Sequence, residues 1–452
     1  MRSIKRQLNS RKEGGLPSMS NQDQKIENVF SNRNFRLVFL GALVSELGAL
    51  LYSFAVSFYI LEISGNSAFL QGLYLALCGV SLLVFTPVGG VLGDRFNKAK
   101  IMYLCDYVKG GTILLAAALM LVFREPQAHI AILFALGILG NAVSGIFTPA
   151  SGALFPHIVK EEQLQQANAY FSVKNSLVNI LGVILAGILY AALPVLTLFI
   201  LVGVCFVASG VSEMLIRYAH HPAPERLTIK AAIRDMRDGV AYLKTKKGIM
   251  AIIGAVLFIN FFFAPVTGNF IPYFIKTDLA NAPSYLLDGV LTPELWSSVF
   301  SVCFGVSSLT GAAILSARKQ EEKCGYKTAV RLCITAAFMI ALTVCYWQFV
   351  GRGAEVSGFL IAFCLGGLGM GFLISYINIP ITTAMMRVVD RDKLSKVTSI
   401  INVGSHGMIP VASVLAGVIL QSLGSTALLA FCSLGFSLTA VLMLINRQVR
   451  EI

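Results

Sequence analysis

Residues 69–100 read FLQGLYLALCGVSLLVFTPVGGVLGDRFNKAK, an uncharged apolar run that ends in a short charged turn. The run itself, 69–92, is longer than the about 20 residues that a helix needs to cross ~30 Å of hydrocarbon. It lacks the strict alternation of polar and apolar residues that marks a strand of a membrane barrel. This stretch therefore predicts a transmembrane helix followed by a tight turn at the membrane surface.

Apolar runs of similar length occur along the whole chain, and most of the connections between them are short. Only 13% of the 452 residues are charged. Soluble domains carry about 25%, so this chain has too little charge to cover a water-facing surface. We predict an all-α integral membrane protein with twelve transmembrane helices at about 37–61, 69–92, 101–123, 128–151, 170–193, 195–217, 249–275, 295–317, 328–350, 356–379, 397–421 and 424–446.

The predicted spans form two halves of six helices. The longest connection separates a first half, 35–217, from a second half, 249–446. At a shift of 230 residues, Leu185-Ala186-Gly187 meets Leu415-Ala416-Gly417 at the same place in the predicted topology. This pattern indicates a duplication of six spans, which secondary transporters use to build a substrate site between the halves.

Three polar segments lie outside the spans: the N-terminal tail 1–34, the linker 218–248 and the C-terminus 447–452. The tail has no apolar core, so it predicts neither a signal peptide nor a span, and it leaves open whether Met1 or Met19 is the true start. Apolar residues of the linker recur at helical spacing and predict an amphipathic helix on the membrane surface, with a regulatory partner site as the alternative: Ile229, Ile233, Met236, Val240 and Leu243.

The net charge of +13 is distributed very unevenly between the two sides of the membrane. Of the 36 Lys and Arg residues, 31 fall in the tail, the linker and the loops on the same side, and three fall on the other side: Arg124, Lys276 and Arg352. By the positive-inside rule, this bias predicts cytoplasmic termini in a cell membrane. The charge forms a rim against anionic lipid head groups rather than a concentrated basic surface, so nucleic acid is excluded as a partner.

No pattern for a cofactor, a metal or an enzymatic site is present in the sequence. Eight of the nine cysteines lie in predicted spans, none has CxxC spacing, and the five histidines are scattered. A Walker loop is missing, which argues against ATP as the energy source, and so is any set of nucleophile and base. We therefore expect neither cofactor nor metal, and we do not expect an enzyme.

The charged turn after the second span is the most specific local motif. Asp94 ends the helix and is followed by bases, so it can accept hydrogen bonds from an arginine or from the free N–H groups of a helix start. Gly89, Gly90 and Gly93 predict close approach of the helix backbone to a neighbour. The alternative is an ordinary positive-inside loop, to which Arg95 and Lys98 would belong in any case.

This turn resembles the signature G-x-x-x-D-R-x-G-R-R/K of the major facilitator superfamily. Gly90, Asp94, Arg95 and Lys98 match it, while Asn97 stands in place of the second glycine. The resemblance implies the major facilitator fold with a central cavity between the halves, and alternating access. It also implies that these four residues form a conformational latch, with the acid docking on the start of the eleventh helix.

Other motifs are similar to the macrolide-efflux and enterobactin-exporter branch of that superfamily. They are Ser45-Glu46-Leu47-Gly48 in the first span and Asp106-x-x-Lys109 in the third. This likeness implies proton-coupled export of a small molecule by a bacterial protein, which we expect to act as a monomer. Two elements of antiporters are absent: Gly182 is followed by Val183 instead of proline, and the fourth span has Asn141 but no arginine.

Charged and polar residues inside the spans are the candidates for function, because a central charge costs ~2.5–3.5 kcal/mol to insert. Glu46 should lie near the middle of the first span, and Lys174 about a turn into the fifth. The two predict either a proton or cationic-substrate site or a structural ion pair. Other polar residues predict either contacts in the cavity or hydrogen bonds between helices: Asn175, Asn260, Asn378, Asn402 and His406.

The remaining intramembrane charges predict structural roles. Asp106 and Lys109 are three residues apart, so they can pair along one helix. Glu62 and Glu213 lie near span ends, where side chains reach water, and need no special role.

Together these observations predict a secondary active transporter that exports small amphipathic or hydrophobic compounds, with protons and membrane lipid as its other partners. A lipid or lysolipid translocase is a second possibility. From another functional class, a non-transporting membrane receptor or an assembly subunit is the third.

Overall fold

The computed structural model describes residues 28–217, 229–316, 324–353, 355–390 and 394–450. We number the membrane-spanning helices in chain order. Seven of them are single α-helices: α1 Arg33–Ile63, α2 Ala68–Arg95, α3 Lys98–Val122, α4 Pro126–Ile158, α6 Val195–Met214, α8 Pro293–Ser316 and α10 Val356–Val388.

Three further spans contain π-helical segments. Helix α5 consists of Leu164–Leu177, the π segment Val178–Gly182 and Val183–Ala192. Helix α9 consists of Cys324–Tyr346 and the π segment Trp347–Gly351. Helix α7 has four parts: Lys247–Pro265, the π segment Val266–Phe270, Ile271–Phe274 and the π segment Ile275–Leu279.

The last two spans lie within one helical stretch, Leu394–Ile445. Gly424 interrupts it with φ 80° and ψ 178°, a conformation that is open essentially only to glycine. We call the part before Gly424 α11 and the part after it α12. Length and hydropathy alone find eleven segments that could cross a membrane, because Val403–Ile445 reads as one. With the break at Gly424 the number is twelve, so the predicted all-α architecture is confirmed.

Polar residues in the short loops fix where the first helices begin. Asn32 accepts hydrogen bonds from the backbone N–H of Asn34 and Phe35, and Ser67 accepts one from Leu70. Asn97, which stands in place of the family's second glycine, accepts from the N–H of Lys100 and caps α3. These caps satisfy N–H groups that have no partner inside the helix.

The packing of the helices repeats from one half to the other. In the first half, α2 packs on α4, and α6 packs on both α1 and α3. In the second half, α8 packs on α10, and α12 packs on both α7 and α9. The most extensive contacts between the halves are those of α2 with α11 and of α5 with α8. These two pairs correspond to each other under the same repeat, as a duplicated chain requires.

Glycines allow the closest helix contacts, although not all of those expected. A Cβ atom on Gly89 would lie 2.6 Å from Ile146 Cα of α4, so this position requires glycine. A Cβ atom on Gly93 would meet Ala150 Cα at an ordinary 3.7 Å. The expectation for Gly90 is wrong, since a Cβ atom there would meet none of the described residues within 4 Å.

A helix at Ile229–Thr245, here called the linker helix, occupies the segment where the sequence predicted an amphipathic helix. It packs on α11 and also touches α2 and α7, so it contacts both halves. The N–H of Asp390, after α10, donates to the hydroxyl of Tyr242 at 3.1 Å.

Candidate functional site

A cavity of about 680 Å³ lies between the two halves and is bounded by α1, α2, α5, α7, α8, α9 and α10. Its walls are largely apolar, with phenylalanine rings from both halves. They include Phe54 and Phe58 from the first half, and Phe263, Phe300, Phe304 and Phe363 from the second.

The polar part of the lining consists of hydroxyl and amide groups. None of the described residues that line the cavity is acidic, basic or a histidine. The polar members are Ser53, Ser57, Ser176, Asn179, Thr267, Ser297, Ser301 and Ser308.

The π-helical segments of α5 and α7 both border this cavity. Asn179 and Ile180 come from the first, and Val266, Thr267 and Gly268 from the second. A π segment takes up an extra residue in a turn and so changes which side chains face a neighbour, and such segments recur at functional sites. Both segments therefore determine which residues of α5 and α7 reach the cavity.

An ion cluster lies about one helical turn beyond the lining residues Phe58 and Pro272 at one end of the cavity. It lies at the membrane face where α1, α5 and α7 end and α8 begins, which we call the distal face. Lys276 Nζ of α7 lies 3.0 Å from Glu62 of α1 and 3.2 Å from Glu294 of α8. The Tyr190 hydroxyl of α5 donates to Glu62 at 3.3 Å. Glu62 is 53% exposed, as expected for a residue near a span end, and through Lys276 it also joins the two halves.

Hydrogen bonds also connect the two halves. The Ser298 hydroxyl of α8 donates to Val183 O of α5 at 2.8 Å. The Gln71 amide of α2 donates to Gly268 O of α7 at 3.3 Å and to Ser57 Oγ at 2.7 Å. The two halves are thus joined near the distal face by both ion pairs and hydrogen bonds.

Glu46 and Lys174 form an ion pair between α1 and α5. The Lys174 side chain is 1% exposed, whereas that of Glu46 is 44% exposed. The ammonium also lies 4.9 Å from the centroid of the Phe171 ring. Glu46 lies four residues before the lining residue Leu50, so the pair sits about one helical turn from the cavity.

Four of the other predicted cavity residues are described by the structure, and none of them lines the cavity. Asn175 and Asn378 are exposed, as is His406 on α11. Asn260 is half-buried and donates to Val256 O in its own helix at 2.9 Å. The Asn402 side chain lies outside the described residues. The structure thus brings Glu46 and Lys174 together and leaves Asn175, Asn260, Asn378 and His406 apart.

Asp106 and Lys109 are not joined by an ion pair within 4 Å in the described structure. The Lys109 ammonium lies 4.4 Å from the centroid of the Phe206 ring of α6. Asp106, 1% exposed, lies within electrostatic range of both Lys109 and Glu213 of α6. Glu213 is 0% exposed, so the expectation that it reaches water is wrong. Both Glu213 carboxylate oxygens, and Asp106 Oδ2, are buried without a hydrogen-bond partner among the described residues.

The residues of the charged turn occupy the junction of α2 and α3. Gly90, Asp94 and Arg95 lie in the last turns of α2, and Lys98 is the first residue of α3. Lys98 is buried and Arg95 is exposed. The Asp94 side chain lies outside the described residues, so the latch stays a prediction.

The family model of the Major Facilitator Superfamily matches residues 38–410 of the chain. The match covers most of both halves and includes the turn at the α2–α3 junction. The chain belongs to the major facilitator superfamily. The predicted resemblance is confirmed, and the protein is a membrane transporter rather than an enzyme.

Relatives of this facilitator include bacterial exporters at low identity. It is 24% identical to the uncharacterized MFS-type transporter YkuC of Bacillus subtilis (strain 168), over 76% of the chain and 77% of YkuC. It is 26% identical to the macrolide efflux protein A of Streptococcus pyogenes, over 52% of the chain and 57% of that protein. It is 30% identical to the enterobactin exporter EntS of Shigella boydii serotype 4 (strain Sb227), over 35% of the chain and 37% of EntS.

Solved structures show the same fold. A bacterial homologue of the iron transporter ferroportin, in an inward-facing state, superimposes with a TM-score of 0.66 at 16% identity, over 91% of the facilitator and 98% of that chain. A D-xylose–proton symporter superimposes with a TM-score of 0.66 at 11% identity, over 94% of the facilitator and 99% of the symporter.

The sequence did not identify the hydroxyl groups that line the cavity of this facilitator. One signal for them was present on α8, where Ser297 and Ser301 are four residues apart and Ser308 follows seven residues later. That spacing puts the three on one helical face within an otherwise apolar span. For Asn179 and Thr267 no periodic signal existed, because π segments change the phase of their helices.

Proposed function

We propose that this major facilitator is a secondary active transporter of the bacterial cell membrane that exports small amphipathic or hydrophobic compounds in exchange for protons. The cavity between the halves carries the proposal. Its volume of about 680 Å³ is within the ~300–1,000 Å³ of small-molecule sites, and its apolar walls with a few polar groups are typical of such sites.

Closure at the distal face supports alternating access. The two halves are held together there by Lys276 and Glu62, and a rocking motion of one half against the other would separate these residues and open the cavity to that side. With cytoplasmic termini, as the charge bias predicts, the cavity receives its substrate from the cytoplasm or the inner leaflet. Macrolide efflux protein A and the enterobactin exporter EntS, both similar to this chain, support export as the direction.

Glu46 is the proposed site of proton coupling. Its half-exposed carboxylate can exchange protons with water, while its partner Lys174 is buried in the bundle. Protonation of Glu46 would leave a buried cation without its counter-charge, so the two states would differ in energy. Asp94 is proposed to act separately, as a latch that stabilises one conformational state.

Transport into inverted membrane vesicles tests the proposal. A panel of amphipathic fluorescent or radiolabelled compounds should accumulate when the vesicle interior is acidified, and accumulation should stop when a protonophore collapses the gradient. A Ser301→Trp variant, which fills the cavity, should insert normally and accumulate nothing. Accumulation by this variant, or equal signals with and without a gradient, would contradict the proposal.

A further inference from the structure

The polar atoms on the second-half wall of the cavity are hydrogen-bond acceptors. The Ser301 hydroxyl donates to Ser297 O at 2.9 Å, and the Ser297 hydroxyl donates to Glu294 O at 2.7 Å. The Thr267 hydroxyl donates to Ala264 O at 3.3 Å. A hydroxyl has one hydrogen and two lone pairs, so these oxygens can still accept a hydrogen bond but have no hydrogen left to donate.

Ser308 on the same wall has the same property. The Ser375 hydroxyl donates to Ser308 O at 2.7 Å, and the two hydroxyl oxygens lie 2.9 Å apart. Since the hydrogen of Ser375 is already used, the hydrogen between the two oxygens belongs to Ser308. Four hydroxyl groups of α7 and α8 therefore face the cavity as acceptors.

The first-half wall contributes the donors. Ser57 Oγ accepts from the Gln71 amide at 2.7 Å, so its own hydrogen remains available. Asn179 uses one N–H on Asn175 O at 2.9 Å and keeps the other. A molecule spanning the cavity thus meets only acceptors on the α7–α8 wall, and it meets available donors on the first-half wall.

The cavity offers nothing to neutralise a charged molecule. No described lining residue is charged, and burial of an ion without a counter-charge is strongly unfavourable. The aromatic residues of the lining are phenylalanines, which attract cations less than tryptophan does. Phe300 and Phe363 pack edge to face at 4.2 Å between ring centroids, so these rings are already engaged with each other. The ion pair of Glu46 with Lys174, about one helical turn from the cavity, is internally neutralised.

We infer that the cavity selects uncharged molecules with an apolar ring skeleton and hydroxyl or amide N–H groups that donate to the α7–α8 wall. The inference rests on the proposed function only in taking this cavity as the substrate site. The inferred selectivity predicts that amphipathic cations of the same size bind less tightly than these uncharged molecules.

Three probes of one shape test the inference by equilibrium binding to the purified full-length protein. They are a radiolabelled steroid diol, its bis-methyl ether and the same ring system carrying a quaternary ammonium group. The diol should bind about tenfold more tightly than the ether, which cannot donate, since removing a paired hydrogen bond is an effect of that order. It should also bind more tightly than the ammonium compound. Equal binding of diol and ether, tighter binding of the ammonium compound, or binding of none of the three would overturn the inference.

Two substitutions at Ser301 test whether the α7–α8 wall produces this selectivity. Ser301→Ala removes one acceptor and should reduce the preference for the diol over the ether. Ser437→Ala is the matched control, because Ser437 of α12 makes the same type of bond to its own helix at 2.8 Å and does not line the cavity. Ser301→Asp adds a counter-charge and should reverse the preference in favour of the ammonium compound. An unchanged preference in both Ser301 variants would contradict the inference.

Vesicle transport separates this inference from the proposed function. If the diol binds selectively but no probe is accumulated under a proton gradient, the cavity chemistry stands and proton-driven export is wrong. If the ammonium compound is bound and accumulated in preference to the diol, export stands and the inferred selectivity is wrong.

Discussion

At the scale of single residues, the charges inside the membrane are distinguished by their partners. Lys174 is buried and has a carboxylate at its ammonium group, whereas Glu213 is buried without a hydrogen-bond partner among the described residues. Burial of a paired charge costs much less than burial of an unpaired one. A buried charge can therefore stabilise the protein at one position and destabilise it at another, and substitution of Glu46 or Glu213 by the uncharged amide distinguishes the two cases.

Glu46→Gln should destabilise the protein, because it leaves the Lys174 ammonium buried without a counter-charge. We expect a loss of roughly 1–3 kcal/mol, less than for a fully buried pair since the Glu46 side chain is 44% exposed. The double variant Glu46→Gln with Lys174→Gln should recover most of this loss. Thermal unfolding of the purified variants measures it. If Glu46 also carries the coupled proton, the single variant should lose gradient-driven accumulation but keep downhill exchange. Normal stability together with normal accumulation would contradict both roles of Glu46.

Glu213→Gln should have the opposite effect and stabilise the protein. Glu213 is 0% exposed, and both of its carboxylate oxygens lack a hydrogen-bond partner among the described residues. The amide carries no charge, so it avoids the cost of burying an unpaired one and the repulsion by Asp106. We expect a gain of about 1 kcal/mol in thermal unfolding of the purified variant. Glu162→Gln, which makes the same change at an exposed loop position, is the control and should leave stability unchanged. A loss of stability in Glu213→Gln would show that the carboxyl group is paired.

At the scale of helices, the two halves contact each other through parts of α1, α5, α7 and α8 that end or begin at the distal face. Lys276 belongs to the second half and bridges one carboxylate in each half. When the halves separate at this face, its bond to Glu62 has to break, whereas its bond to Glu294 can persist within the second half. The two ion pairs thus have different consequences for opening.

Glu62→Gln should favour opening of the distal face, and Glu294→Gln should not. A single cysteine at position 301, in a background without the native cysteines, reports access to the cavity from that side. Loss of a pair worth about 1 kcal/mol should raise its labelling rate by an impermeant thiol reagent about fivefold. Glu294→Gln is the matched control, because it removes the same charge on the other side of Lys276. Equal rates in the two variants would show that the ion cluster does not hold this face closed.

At the scale of the whole molecule, the contacts α2–α11 and α5–α8 join two halves that repeat the same internal packing. This symmetry places the cavity between the halves and lets one half move against the other around it. The orientation of the molecule in the membrane rests on a separate property, the unequal distribution of lysine and arginine.

Single-cysteine labelling in whole cells checks that orientation. A cysteine replacing Asn281, in the exposed loop between α7 and α8, should react with an impermeant thiol reagent added outside. A cysteine replacing Lys244, at the exposed end of the linker helix, should react only after the membrane is permeabilised. Both proteins should lack the native cysteines. Labelling of position 244 in intact cells would reverse the predicted topology.

The sequence by itself determined the class of fold and the twelve spans, and it predicted the duplication and a latch at Gly90–Lys98. These features depend on hydropathy, charge and motifs, which are properties of short segments and need no knowledge of neighbouring helices. The association of Glu46 with Lys174 was also predictable, because both charges needed a partner in the hydrocarbon.

Only the tertiary structure decided which residues line the cavity, that Glu213 is buried, and that Lys276 joins the two halves. A transmembrane helix is apolar around its whole circumference, so its sequence does not determine how the helix is rotated about its axis. The π segments of α5 and α7 change that rotation again part-way along the helix. Rotation is fixed when the helices pack, and it places Asn179 and Thr267 in the cavity wall and encloses Glu213 between helices.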